Sequence, residues 1–412
     1  MAEFGWVYFS KEQKEVAGTI IKMMSQEGMV DELGIGAIRD AFANQLFPGI
    51  STVQTRAKYF FIVPYILKEY ENLYLQGRIT KNASKYLEDE ENKLMWQLSD
   101  YYKTIEKSGV IGITLPPRQK IVRRPSSIYW NGIGLYKLIA TNGLGVDAFL
   151  NTQINTKAHN VFSELVMDDS DNGDDLELNY NNKLKINSSI LLQSNWRENL
   201  NIELSNYEAE LLSSAIIKTQ PNTLFAYILQ NKEAQEAMNQ SDSFADFANI
   251  STQLKLPESL MNQIKLAHDF SEIMYGSNVA YNYWLHKDKK YNTDKFEEAW
   301  NEWKDNLQTN LLYKSDSIID IVINSDFAKT TKERTKQFIK NWWQIINSTT
   351  SIEVTKQLVS QQELFNKKAK SRLQYQRWDD VIEGKQLGLG RLNFRFVQAK
   401  RIINDILKAK NL

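Results

Sequence analysis

The clearest candidate functional feature of the sequence is a concentration of Lys and Arg residues at 365–412. Twelve Lys and Arg residues stand against four Asp and Glu, which gives this segment a net charge of +8 in a chain of zero net charge. Such a cluster is typical of surfaces that bind the phosphate backbone of nucleic acids. Docking on an acidic partner, or on the chain's own acidic residues at 164–177, explains the charge about equally well. The DNA-binding interpretation selects Arg391, Arg395, Lys400 and Arg401.

A second group of polar residues lies within 34–67. Two helical stretches joined by the short turn FPGI match the spacing of a helix-turn-helix motif. If the second helix opens with STVQTR, then Gln54, Thr55 and Lys58 point away from its apolar face, toward DNA. The apolar residues at 61–63 favour instead an ordinary helical hairpin in the core. Both interpretations stay open at this point.

Three charged residues suggest an alternative, an enzyme with an unfamiliar nuclease-like active site. They are Arg39, Asp40 and Arg56, although charges at helix junctions are more often structural pairs. We expect Arg56 to pair with a buried acid such as Asp40. The sequence contains none of three common catalytic motifs: the Walker-type phosphate-binding loop, the metalloprotease motif HExxH and the hydrolase motif G-x-S-x-G. It also contains no cysteine and only three histidines. The sequence therefore favours a protein without catalytic activity, metal or cofactor.

The elements that must position these residues are helices. Seven prolines and 18 glycines in 412 residues are few, and apolar residues recur at helical spacing along most of the chain. We expect one helix over 35–47, a long buried helix that starts after Pro257, and another helix over 352–373. An irregular basic connection interrupts the pattern near 109–135. The predicted class is all-α or predominantly α.

Charge and composition also divide the chain. We expect an N-terminal helical domain at 1–160, an acidic loop or linker at 161–182, and a C-terminal helical domain at 183–412. The acidic segment does not match the ligand spacing of an EF-hand loop. No signal peptide is evident, and the most apolar run, at 59–67, has nine residues where a membrane helix needs about 20. The sequence therefore predicts a cytoplasmic protein that does not enter a membrane.

Several longer motifs resemble a known bacterial family. The clearest are DELGIGAIRDAF at 31–42 and LFPGISTVQTRAKYF at 46–60, and shorter likenesses are WVYFS at 6–10, IYWNGI at 128–133 and RLNFRF at 391–396. The family is known only as a domain of unknown function of roughly this length. Its members are encoded in bacterial defence islands, near helicases and phospholipase D-like nucleases, and no catalytic residues are assigned to it.

The resemblance and the charge pattern together predict a non-catalytic accessory subunit of an anti-phage defence system. Such a subunit binds DNA, a helicase or nuclease partner from the same gene cluster, or both. Besides the nuclease-like enzyme, a structural scaffold that assembles through Trp-rich helices is the remaining alternative.

Overall fold

The computed structural model describes residues 31–152, 184–309, 317–324, 328–348 and 351–411. Within these ranges the chain is helical, and extended backbone pairs at a single antiparallel bridge between Ile139 and Ile186. The predicted α class is confirmed. No helix in the described part of the chain is both long and apolar enough to span a bilayer.

The helices before residue 256 are α1 (Gly36–Leu46), α2 (Tyr59–Leu75), α3 (Ala83–Tyr102), α4 (Pro125–Leu135), α5 (Asn206–Thr219), α6 (Leu224–Gln230), α7 (Lys232–Gln240) and α8 (Phe244–Ser251). Residues 146–152 are also helical. The later helices are α9 (Glu258–Asp288), α10 (Asp294–Thr309), α11 (Ser317–Asn324), α12 (Glu333–Ser348), α13 (Lys356–Lys367), α14 (Arg372–Tyr375) and α15 (Phe396–Lys410). Two 3₁₀ turns, Ile352–Thr355 and Lys368–Lys370, flank α13.

The chain forms two compact units, each made of two stretches of sequence. Of the described residues, those up to Phe42 and those within Leu256–Phe394 form the first unit, and those within Ala43–Lys255 and from Arg395 onward form the second. The acidic segment at 161–182 lies outside the described residues. The division into domains at 160 and 183 therefore stays a prediction.

The core of the first unit surrounds α9, the long helix predicted after Pro257. Trp303 of α10 and Trp342 of α12 are buried against it, and their indole N–H groups donate to α9 carbonyl oxygens at 2.8 and 2.9 Å. Gly276 makes this packing possible, because a Cβ at that position would lie 2.2 Å from the Trp303 ring. These tryptophans are core residues.

An aromatic core also holds the second unit together. Phe60 of α2 contacts the rings of Tyr129 and Tyr136 at centroid distances of 4.9 and 5.4 Å. At the start of α5, Ser205 and Glu208 form the capping box that the S-x-x-E spacing predicts. The buried Glu208 carboxylate has a further role, described below.

The helix predicted over 352–373 is interrupted, and this is the main departure from the expected elements. α13 ends at Lys367, because Lys368 has a φ of 51° and cannot continue a right-handed helix. A 3₁₀ turn and the short helix α14 follow. After this break Lys368, Lys370 and Arg377 are exposed.

Candidate nucleic-acid interface

The predicted DNA-facing residues of the N-terminal hairpin do not lie on a helix. α2 begins at Tyr59, and residues 47–58 form a loop, so the expected second helix does not start at Ser51. Gln54 is 2% exposed and Lys58 is 8% exposed. The expectation that these side chains point toward solvent is therefore wrong. Buried bonds within the second unit account for the difference.

Gln54 and Thr55 use their polar groups to fix this loop. The Gln54 amide donates to the carbonyl oxygen of Gly49 at 3.0 Å. The Thr55 hydroxyl donates to the carbonyl oxygen of Gly109 at 2.6 Å, and its backbone N–H donates to the Tyr129 hydroxyl at 2.8 Å. Both side chains stabilise the loop.

Lys58 is held by a buried acid. Its ammonium group donates to both carboxylate oxygens of Glu208 at 2.8 Å. The Tyr65 hydroxyl and the backbone N–H of Ser205 donate to the same carboxylate, at 2.8 and 2.7 Å. Lys58 therefore neutralises the buried charge of Glu208. Its ammonium group does not reach the solvent, where it could contact a phosphate.

The three charged residues of the enzyme hypothesis form two separate pairs. Arg39 and Asp40 are neighbours on α1, and their side chains meet at 3.0 Å. Arg56 pairs with Asp405 of α15, with its Nε at 3.1 and 2.9 Å from the two carboxylate oxygens. Arg56 thus pairs with a largely buried acid as expected, but that acid is Asp405 and not Asp40. Local sequence patterns could not reveal the Asp405 contact, because its partners are 349 positions apart in the chain.

The Arg56–Asp405 pair is partly withdrawn from water. Burial raises the pKa of the Asp405 carboxyl, and the bonds from Arg56 offset part of that rise. For Arg56, burial opposes the charged form, but the hydrogen bond to Asp405 raises its pKa overall. Asp405 also accepts the backbone N–H of Ala57 at 2.8 Å. The pair joins the loop before α2 to α15.

The glycines of DELGIG have a structural explanation that the sequence did not give. The Asp31 carboxylate accepts the backbone N–H groups of Gly34, Ile35 and Gly36 at 2.8 to 3.0 Å. Gly34 has a φ of 75°, and a Cβ at Gly36 would lie 2.8 Å from the Asp31 carboxylate. This motif therefore starts α1.

Three of the four predicted basic residues in the C-terminal segment bind groups of their own unit. Arg391 pairs with Glu272 at 2.8 Å. Arg395 donates to carbonyl and amide oxygens in the second unit, and Lys400 donates to two backbone carbonyl oxygens at 2.8 and 3.0 Å. Arg401 is exposed on α15. Much of the positive charge of residues 365–412 is therefore engaged in bonds to other groups of the protein.

The loop after α13 contains three cations whose side chains are exposed. The side chains of Lys368, Lys370 and Arg377 are exposed, and among the described residues none of their cationic groups makes a hydrogen bond or ion pair with a protein group. The Tyr375 ring lies in the same loop with 54% of its surface exposed. No acidic residue occurs between Glu363 and Asp379.

A buried carboxylate fixes the shape of this loop. Glu363 accepts the backbone N–H groups of Arg372 and Leu373 at 2.8 and 3.0 Å. The hydroxyl groups of Ser371 and Tyr281 also donate to it, each at 2.8 Å. With four donors the fully buried Glu363 is well satisfied, so the chain turns back at this point. Sequence reasoning missed Glu363, because nothing in its local pattern marks a buried acid.

A second acid ties the loop to the N-terminal motif. Glu32 is 1% exposed and lies 3.2 Å from the Lys367 ammonium and 3.0 Å from the Arg372 guanidinium. These are ion-pair contacts by distance, although their angles fall outside hydrogen-bond geometry. The Arg372 guanidinium also binds Asp380, and this bond raises the pKa of Arg372 against the effect of burial. Arg372 and Lys367 are therefore structural cations.

Two further cations lie at the same end of α13. Lys332 and Arg334, at the start of α12, sit over the ring of Phe365 at 5.4 and 5.2 Å. Phe365 precedes Lys368 by three residues. We call the exposed cations of this region the basic surface: Lys332, Arg334, Lys368, Lys370 and Arg377.

The basic surface suits an anion with several separated charges. Long flexible Lys and Arg side chains on a fixed loop can meet successive phosphates of one chain. In the part of the chain that the structure describes, no three His, Asp or Glu side chains come together as a metal site.

The fold and this surface define an all-α protein with an exposed, positively charged loop held by buried carboxylates. Over residues 1–410 the sequence matches the family of unknown function DUF6361, and the chain belongs to that family. The resemblance to a family of unknown function is thereby confirmed, whereas the link to anti-phage defence stays a prediction. Comparison with curated proteins and with solved structures gave no match.

Proposed function

We propose that this protein is a non-catalytic DNA-binding subunit, and that the basic surface of the first unit is where it holds DNA. The observation that carries the proposal is the group of three exposed cations, Lys368, Lys370 and Arg377, which have no protein partner among the described residues. Their loop is fixed by the buried Glu363. A fixed loop binds with little ordering cost.

This site differs from the one that the sequence favoured. Gln54, Thr55 and Lys58 are committed to the second unit, and Arg391, Arg395 and Lys400 already bind protein groups. Arg401 is exposed but lies in the second unit. The proposal therefore keeps the basic C-terminal segment and moves the contact to its first part.

The proposal includes the setting that the family resemblance implies. In an anti-phage defence system of the cytoplasm, a helicase or phospholipase D-like nuclease supplies the chemistry, and this subunit holds the DNA. Co-purification with the products of neighbouring genes tests that part separately.

The test of DNA binding is a fluorescence-anisotropy titration at two salt concentrations. We expect the Lys368→Ala/Lys370→Ala/Arg377→Ala variant to bind at least about tenfold more weakly, and the slope of log K against log salt to fall by about 2. The matched control is Lys218→Ala/Lys232→Ala/Lys255→Ala, which removes three exposed lysines of the second unit. Equal losses in both variants, or no binding by the parent, refute the proposal.

A further inference from the structure

An open groove runs between α12 and α13 of the first unit and has a volume of about 460 Å³. Its walls carry hydroxyl and amide groups beside a few apolar side chains, and none of the lining residues is charged. They are Asn341, Gln344, Ile345, Ser348, Val354, Gln357, Leu358 and Gln361.

Helical spacing shows that this groove leads to the basic surface. On α12, Arg334, Asn341 and Ser348 follow one another at intervals of seven residues, which is two turns, so they share a face. On α13, Leu358 and Phe365 have the same spacing. The Arg334 guanidinium lies 5.2 Å from the Phe365 ring. The faces that line the groove therefore meet at the basic surface, about 10 Å of helix rise from Asn341.

The uncharged lining of the groove is better suited to the bases of a nucleic acid than to its phosphates. The side chains of Gln344, Gln357 and Gln361 are exposed, and their amide groups make no hydrogen bond with another described residue. Each amide offers a donor and an acceptor side by side, which is the arrangement that pairs with the edge of a base. Val354 and Leu358 supply apolar contact for the flat face of a base.

From this we infer that the groove between α12 and α13 binds the unpaired bases of a single DNA strand whose phosphates contact the basic surface. The inference rests on the proposed function and adds the strand form to it. In a duplex the Watson–Crick edges and the flat faces of the bases are taken up by pairing and stacking, whereas in a single strand whole bases are free to enter a groove.

The experiment compares three ligands of equal length: a single strand, the same strand without its bases, and a duplex. The variant Gln344→Ala/Gln357→Ala/Gln361→Ala tests the groove, and Gln193→Ala/Gln240→Ala/Gln253→Ala, three exposed glutamines of the second unit, is its control. The urea unfolding transition of each variant is recorded, so that a loss of fold is recognised.

We expect the parent to bind the single strand at least about tenfold more tightly than the abasic strand. The groove variant should lose that preference and keep the salt dependence, because its phosphate contacts are intact. The control variant should behave as the parent.

The two proposals fail in different ways. If the groove variant keeps the full preference for bases, or if the parent binds the duplex more tightly, the groove inference is wrong while binding at the basic surface stands. If the parent binds none of the three ligands, both proposals are wrong. If the groove variant loses its folding transition, the single substitutions Gln357→Ala and Gln361→Ala decide, each with about a threefold loss expected.

Discussion

Glu91 of α3 is buried against the first turn of α4, where its carboxylate accepts hydrogen bonds from both the backbone N–H and the hydroxyl of Ser126. The nearest cation is Arg124, whose Nε lies 3.9 Å away. Burial raises the pKa of Glu91 to about 7, and the Ser126 bonds offset only part of the shift. The first turn of α4 is therefore held by a buried carboxyl group that resists ionisation.

This relationship predicts a pH-dependent stability. The folded pKa of Glu91 lies above its ordinary value of 4.5, so the folded state binds its proton more tightly than the unfolded state. The free energy of unfolding should therefore fall by up to about 3 kcal/mol as pH rises from 4.5 to 7. Glu91→Gln, which resembles the protonated form, should remove this dependence in urea titrations at pH 5 and pH 8. Glu106→Gln, at an exposed position, is the control, and an unchanged slope in Glu91→Gln contradicts the prediction.

The Arg56–Asp405 pair predicts a strong asymmetry between single and double substitutions. Asp405→Asn leaves the partly buried guanidinium without its counter-charge and should lower the free energy of unfolding by about 3 kcal/mol. Arg56→Met/Asp405→Asn removes both charges and should cost less than the sum of the Arg56→Met and Asp405→Asn changes. Chemical denaturation of the four proteins in the cycle measures this, and additive losses would show that the two charges are not coupled.

The backbone conformation of Lys368 predicts that replacing it with glycine stabilises the fold and weakens DNA binding. Its φ of 51° and ψ of −125° form a conformation that glycine adopts easily and other residues do not. Lys368→Gly should raise the free energy of unfolding by about 1 kcal/mol and, under the proposed function, weaken DNA binding. Lys370→Gly, three residues after the end of α13, serves as the comparison and should bring no gain in stability. A lower unfolding midpoint for Lys368→Gly would refute the strain argument.

Gly276 predicts a severe core defect. A Cβ at this position would lie 2.2 Å from the Trp303 ring, which is itself fixed by a bond to the carbonyl oxygen of Glu272. Gly276→Ala should therefore cost about 3 kcal/mol through overpacking, despite the better helix propensity of alanine. Thermal unfolding followed by Trp fluorescence measures the change. Gly145→Ala, where a Cβ meets nothing within 4 Å, is the control.

The sequence predicts the fold class well because helical periodicity and capping are local signals. The α5 capping box and the helix after Pro257 were both visible from residues a few positions apart. The start of α2 was not, since residues 51–58 also have a helical pattern. There, bonds to Tyr129, Asp405 and Glu208 hold the chain in a loop, and these partners come from distant sequence.

For the candidate interface, the sequence predicted the positive charge of the segment but not which residues form the exposed surface. Composition identified the basic segment at 365–412 but could not separate exposed cations from paired ones. Glu32 neutralises Lys367 and Arg372 from more than 300 positions away, whereas Lys368 and Lys370 stay exposed between them. The groove between α12 and α13 was not predicted, because it depends on how two helices pack.

Glu363 holds the loop after α13 through the backbone N–H groups of Arg372 and Leu373, and these groups are the same whatever side chains the neighbouring positions carry. The shape of the loop is thereby uncoupled from the identity of residues 370 and 377. Substitutions at these two positions can change what the loop recognises while the turn itself persists.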